Sequence, residues 1–331
     1  MKHKKSQIKT VLGIPLLIVA LGSLASGARA DDTPIRLADM AQSLNGIASQ
    51  VMIDQELDHK YGVDVSYKGY PTLDGLFNAI RGKQVDLGFG GWTGFAQFRA
   101  QGYPVVNIFP VGRGATLDVL VPTDSELQSL DDLKGKRVAS YAGAAGTATV
   151  LLRVMLNDFY GFDPAATGDL QYVGPGIIPA LLDSGDVDAG LLFDPLATKA
   201  MASGKYRSIG NLGDLYKEKT GDDFLWISLA TNDDFARANP EALAGFLKGW
   251  VDAVEYVKSH PAVFEAYGKK LGLDQAGIDQ LAERVIRDYA TTWNDDYING
   301  LKAFAERASR VMDKGFLDEL PEEAFSTQYA P

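Results

Sequence analysis

The chain contains no cysteine. That excludes disulfide bonds, a thiolate nucleophile, a cysteine-ligated zinc site and a cysteine-linked lipid anchor. Histidine is nearly as scarce. His3 lies near the N-terminus, His59 beside Lys60-Tyr61, and His260 before Pro261. None stands in H-E-x-x-H, and no G-x-S-x-G or completed G-x-G-x-x-G occurs. The acid pairs Asp222-Asp223, Asp233-Asp234 and Asp295-Asp296 read as caps and solvated turns, without the alternating Asp/Asn loop of a calcium site. Catalysis would have to rest on unrecognised carboxylates, and the chain reads as a non-enzyme without cofactor or metal.

Long apolar runs are also missing. The longest, 11–24, covers about 14 residues and holds Pro15, short of the roughly 20 that span a bilayer. Lys2, Lys4, Lys5 and Lys9 precede it and Ala28-Arg29-Ala30 follows. Residues 1–30 are therefore expected to be a signal peptide cleaved after Ala30, releasing the mature chain to a periplasm. Without the leader's five basic residues, 27 basic side chains remain against 43 acidic ones. Such a balance argues against nucleic acid or an anionic membrane as partner.

What the chain does contain is a steady alternation of strand and helix. Strands are predicted over 35–38, 63–67, 85–89 and 105–109, with helices over 44–59, 73–81 and 95–101 between them. Short connections between such elements predict a parallel, doubly wound α/β sheet. A β run over 116–121 leads out of this unit and breaks at Pro122. The pattern then restarts, with strands over 136–140, 170–173 and 187–193 and helices over 150–159, 178–184 and 196–203. Residues 224–230 form a returning β segment, and helices follow over about 239–260, 274–288 and 296–312. The expectation is two lobes joined by two crossings, near 122 and near 224. Lobe 1 comprises 31–122 and 225–331, with the helical tail packed back on it, and lobe 2 comprises 123–224. Two such sheets face each other across a cleft at the carboxyl ends of their strands.

The stretch 129–149, SLDDLKGKRVASYAGAAGTAT, organises the second unit. A strand enters a turn of Gly and Ala, and an apolar helix leaves it. Free backbone N–H groups at a helix start favour an anionic or strongly polar ligand. "SLDDLKGKRVA" with its Gly-rich turn, "ALLDSGDVDAGLLFDP", "LFNAIRGKQVDLGFGG" and "SLATNDDFARANPEALAGFLKGW" occur here in an order covering nearly the whole mature chain. Together they resemble the substrate-binding proteins of ABC importers for sulfonates, nitrate and taurine, which also include thiamine-precursor binders. The resemblance implies a two-lobed, type II periplasmic-binding-protein fold, a monomer that delivers a small solute to membrane permease subunits. A receptor for another transporter or a sensor system is the alternative reading.

By position, the resemblance implies ligand contacts from 39–43, 70–72, 90–93, 143–147 and 193–194. The candidates are Asp39, Gln42, Ser43, Tyr70, Thr72, Gly91, Trp92, Thr93, Gly143, Ala144, Gly146, Thr147 and Asp194, with Arg113 between two glycines as a possible anion partner. Trp92 is expected as a flat cleft wall, with core packing as the competing role. Trp226, in the return crossing, is expected in hinge packing, with a cleft wall as the competing role. Asp194, before Pro195, also suits a helix cap; Asp39 has no such structural explanation. An Ala-rich cradle flanked by two acids departs from a simple oxyanion site. It leaves room for a cationic or donor-rich ring, such as a pyrimidine, beside a sulfonate.

Overall fold

The computed structural model describes residues 32–331 except Gln42 and Asp318. The expected signal peptide and Gln42 thus lie outside the described residues. The chain opens with β1 (Thr33–Met40), β2 (Val63–Tyr70), β3 (Leu87–Gly91) and β4 (Val105–Gly112). It continues through β5 (Leu117–Pro122), β6 (Val138–Ser140), β7 (Leu170–Tyr172), β8 (Ala189–Phe193) and β9 (Tyr206–Asn211), and returns in β10 (Ile227–Asn232). Two five-stranded sheets result, ordered β2-β1-β3-β10-β4 and β7-β6-β8-β5-β9.

The alternation that predicts parallel pairing holds for β1, β2 and β3 and for β6, β7 and β8. Each sheet is nevertheless mixed. β10 runs antiparallel between β3 and β4, and β5 runs antiparallel between β8 and β9. These are the two strands that follow a crossing. β5 follows β4 with no helix between them, whereas the helix Leu212–Thr220 precedes β10; each strand enters its new sheet against the direction of its neighbours. The expected first boundary also moves. Leu117–Pro122 belongs to the second sheet, so the chain crosses at 113–116, before this strand rather than after it. Gly114 makes that crossing at φ +78°, where a side chain would be strained.

The helical tail differs from expectation in two ways. A helix over Val263–Leu271 joins Pro240–Ser259, Gln275–Asp288 and Asp295–Ala308. The last of these also packs on the second lobe, against the helix Thr147–Tyr160: Arg307 pairs with Asp158 at 2.9 Å, and Arg153 donates to the Val311 carbonyl. Phe304, Tyr216 and Phe224 form an edge-on aromatic cluster there, with centroids 4.9–5.9 Å apart.

β4 is buried at all eight positions although it ends its sheet. The C-terminal segment covers it. Phe325 bridges to Asn107, the Ser326 amide donates to the Asn107 carbonyl, and the Asn107 side chain donates to the Ala324 carbonyl at 2.9 Å. An otherwise open strand edge is thereby paired.

Candidate functional site

The carboxyl ends of β1, β2, β3, β6 and β8 meet at the junction between the sheets. Asp39 sits at the end of β1 and is 2 % exposed. Its carboxylate accepts from the Met40 amide (2.7 Å), the Ser43 hydroxyl (2.5 Å) and the Tyr67 hydroxyl (3.4 Å). Burial pushes its pKa up to about 7, against the downward pull of those hydrogen bonds. Tyr67 and Tyr289 are pushed above the usual tyrosine range, and Tyr267 up to about 12, in each case mainly by burial and secondarily by nearby acids. The Tyr289 hydroxyl donates to the Leu44 carbonyl at 2.9 Å.

A second buried acid stands on the hinge side. Trp226 donates from its indole nitrogen to Asp288 Oδ2 at 3.2 Å. Asp288 Oδ1 is buried without a hydrogen-bond partner, while the Ala115 and Thr116 amides pull the carboxyl's pKa down against its burial. Burial raises this carboxyl to about 6. Phe193 lies between two rings, Tyr141 at 4.6 Å and Trp226 at 6.2 Å, and the Asp288 charge helps burial raise the Tyr141 pKa. Trp226, expected in hinge packing, therefore also contributes to the half-buried aromatic face of the junction.

The cradle is built from local hydrogen bonds. The Gly146 amide donates to the Gly143 carbonyl, the Thr149 hydroxyl donates to the Ala142 carbonyl, and Ser140 and Thr149 share a 2.6 Å hydroxyl contact. No side chain caps the helix Thr147–Tyr160, leaving its first amides to the junction. Gly143 and Ala144 are exposed, whereas Thr147 is 5 % exposed. Thr147 meets lobe 1 directly: its hydroxyl lies 2.6 Å from that of Thr93. A Cβ on Gly91 would come within 2.5 Å of Thr147 Oγ1, so glycine here permits the close approach.

Other expected residues serve the frame. Trp92 is fully buried, donates to the Leu225 carbonyl at 2.8 Å and packs on Phe304 and Phe325. It is a core residue and not a cleft wall, because its partners come from the C-terminal region. Thr72 is exposed and caps Leu73–Arg81 by accepting from the Gly75 amide. Tyr70 is half-buried beneath the Lys68 ammonium, 4.8 Å from its ring centre. Arg113 is half-buried at the first crossing, with its amide donating to the Asp288 carbonyl and its Nε buried without a partner.

Asp194 has both oxygens engaged: Oδ1 accepts from the Thr198 amide and hydroxyl, and Oδ2 from Arg284 Nε at 2.6 Å. Arg284 also pairs with Asp118. Sequence reasoning missed Tyr67, Tyr267, Arg284, Asp288 and Tyr289. The last three lie at the end of a helix whose apolar spacing advertises only packing. A surface depression lined by Pro122, Asp124, Asp183, Ser184, Gly185 and Lys205 lies at the opposite end of the second sheet and holds none of the expected residues.

Two sheets with reversed crossing strands, meeting at their carboxyl edges, define the periplasmic-binding-protein fold. Solved structures share it. The periplasmic aliphatic sulphonate-binding protein of Escherichia coli aligns with TM-score 0.69 and 17 % identity, covering 90 % of this chain and 91 % of that one. The alkanesulfonate-binding protein of Xanthomonas axonopodis pv. citri, bound to MOPS, aligns with TM-score 0.68 and 19 % identity, covering 90 % and 99 %. By sequence, an aliphatic sulfonates-binding protein of Escherichia coli (strain K12) is 25 % identical over 213 residues, 63 % of each chain. The chain thus spans under two thirds of that relative's length. The profile of the family "NMT1/THI5 like" matches residues 59–263. The chain belongs to that family.

Proposed function

We propose that the chain is an extracytoplasmic solute-binding protein, exported by a leader cleaved after Ala30, that delivers a small organic solute to the permease subunits of an ABC importer. It works as a monomer, without cofactor and without catalysis. The observation that carries this reading is the contact of the two units at Thr93 and Thr147, beside an uncapped helix start, with the buried acids Asp39 and Asp288 both acting on Tyr289. Solute-binding relatives of the same family and fold support it.

The walls favour a ring that carries hydrogen-bond donors or a positive charge. Asp39 and Asp288 are buried acceptors, and Tyr67, Tyr141, Phe193, Trp226, Tyr267 and Tyr289 supply flat surfaces. A sulfonate is the second reading, favoured by the relatives' ligands and by the helix start at Thr147. Native mass spectrometry of freshly purified protein tests the proposal by identifying a co-purified solute. Titration of that solute from pH 5.5 to 8.5 then separates the readings. A donor-rich or cationic ring binds more tightly as Asp39 ionises near pH 7; an anion binds less tightly. A protein that retains and binds no small molecule overturns the proposal.

A further inference from the structure

Asp58 is 1 % exposed, and only one of its oxygens is engaged. Oδ2 accepts from the Val65 amide at 3.1 Å, while Oδ1 is buried without a partner. Among the described residues no lysine or arginine pairs with Asp58 or Asp64, and Asp32 pairs with His59 alone. Buried carboxylates are ordinarily paired or bound to a metal. Asp58 has an oxygen to spare and no lysine or arginine to balance it.

Its neighbours supply the rest of a metal site. One ligand atom from each of Asp58, His59 and Asp64 lies within 4.8 Å of the other two. Bonds of about 2.0–2.2 Å set zinc ligands about 3.5 Å apart, so the three side chains need to close by only about 1 Å. His59 Nδ1 donates to Asp32 Oδ2 at 2.7 Å, and these two side chains are 17 % and 8 % exposed. A carboxylate on one ring nitrogen fixes an imidazole and leaves the other, Nε2, for a metal. Three elements meet here: Asp32 precedes β1, Asp58 and His59 lie in the short helix Leu57–Lys60, and Asp64 stands near the start of β2. The Thr33 amide ties the strand starts together by donating to the Gly62 carbonyl at 3.0 Å.

We propose that Asp58, His59 and Asp64 bind one zinc ion, with Asp32 holding the imidazole in position. Carboxylates alone suit calcium or magnesium, whereas an imidazole among them selects a borderline metal. Three protein ligands leave a further position to water, and the ion pins the entry to β1 against the start of β2. The spacing 58, 59, 64 matches no metal motif, which is why the sequence reads as metal-free; the fold brings the ligands together. β1 and β2 are parallel, so this amino edge of the sheet lies about 20 Å of strand from Asp39 at the other end. The zinc ligands share no residue with the proposed solute site.

Isothermal titration of chelator-treated protein, prepared without a histidine tag, tests the site with zinc, calcium and magnesium chlorides in turn. One zinc per chain is expected, with little heat from calcium or magnesium. Asp64→Asn removes a ligand while keeping the side chain's shape, and is expected to weaken zinc binding at least roughly tenfold; Asp32→Asn, which only loosens the imidazole, should weaken it by roughly ten- to a hundredfold. Zinc should raise the melting temperature of the parent and leave that of Asp64→Asn unmoved. Zinc-free melting of each variant reveals any that misfolds, and His59→Gln then takes its place. A parent that binds no zinc at micromolar concentrations overturns the site. So does equal zinc affinity in the parent and a folded ligand variant. Tighter binding of calcium than of zinc overturns the metal assignment. Co-purified solute is expected to stay bound with and without zinc, so failure of the metal site leaves solute capture standing.

Discussion

Asp39 is more readily protonated in the fold than in the unfolded chain, because burial disfavours its charge. Its neutral form favours folding fully below the unfolded pKa, and that contribution is lost as pH rises through about 7. The slope is at most about 1.4 kcal/mol per pH unit. Asp39→Asn is accordingly expected to flatten the melting profile between pH 4 and 7 and to raise stability at pH 7.5. The same variant should weaken binding of a donor-bearing solute by roughly tenfold or more, the weight of a hydrogen bond to a charged group. Calorimetry of melting and binding measures both, and an unchanged slope with unchanged affinity counts against the assigned role. Trp92→Ala belongs to a different class. It removes a buried indole and its bond to Leu225, and should cost about 3–5 kcal/mol in denaturant unfolding while leaving solute affinity of the folded fraction intact. Asp39 stood out in the sequence as a lone acid after an apolar strand; its partners Met40, Ser43 and Tyr67 were visible only in the fold. The role of Trp92 was not legible, since the direction it faces is decided by Phe304 and Phe325, more than two hundred residues away.

At the scale of elements, the helix start at Thr147 and the end of β3 confront each other. Gly146 cannot take a side chain cheaply, because its Cβ would lie 2.6 Å from that of Ala142. Gly143 has open space around it. Gly143→Asp is therefore the cleaner probe: stability should change by less than about 0.5 kcal/mol, as for an ordinary surface substitution, while binding of an anionic solute weakens. Equal affinity in that variant would remove the cradle from the site. Gly91→Ala pushes a methyl into Thr147 and is expected to hold the lobes apart, visible as a larger radius of gyration in solution scattering. Most strands and helices were readable from alternation and Gly or Pro punctuation. The break at Glu56, which adopts φ 52° and divides the predicted 44–59 helix, was not, because glutamate is an ordinary helix former. The reversed direction of β5 and β10 was equally hidden: periodicity reports which face is buried, not which way a strand runs.

For the whole molecule, the central expectation is compaction on solute binding, measured by small-angle scattering with the solute found by mass spectrometry. A fixed radius of gyration at saturation would contradict domain closure. The helix Asp295–Ala308 touches both lobes and so cannot follow either one without adjustment at Arg307–Asp158 or at the Phe304 cluster. The two-lobed plan was visible in the sequence as a pattern that stops and restarts. The tail's bridging role was not, because its apolar stripe fits either surface.

The strip of chain at 324–326 also acts as a selvedge, finishing the first sheet so that it cannot ravel into a neighbour. Truncating after Pro321 would bare the flank of β4 together with the Trp293 indole, which now donates to the Ser326 carbonyl at 2.7 Å. Light scattering on such a shortened chain should reveal more self-association than the intact protein shows under the same conditions. Anyone attaching a purification handle to the C-terminus would do well to leave those last ten residues free to lie down first.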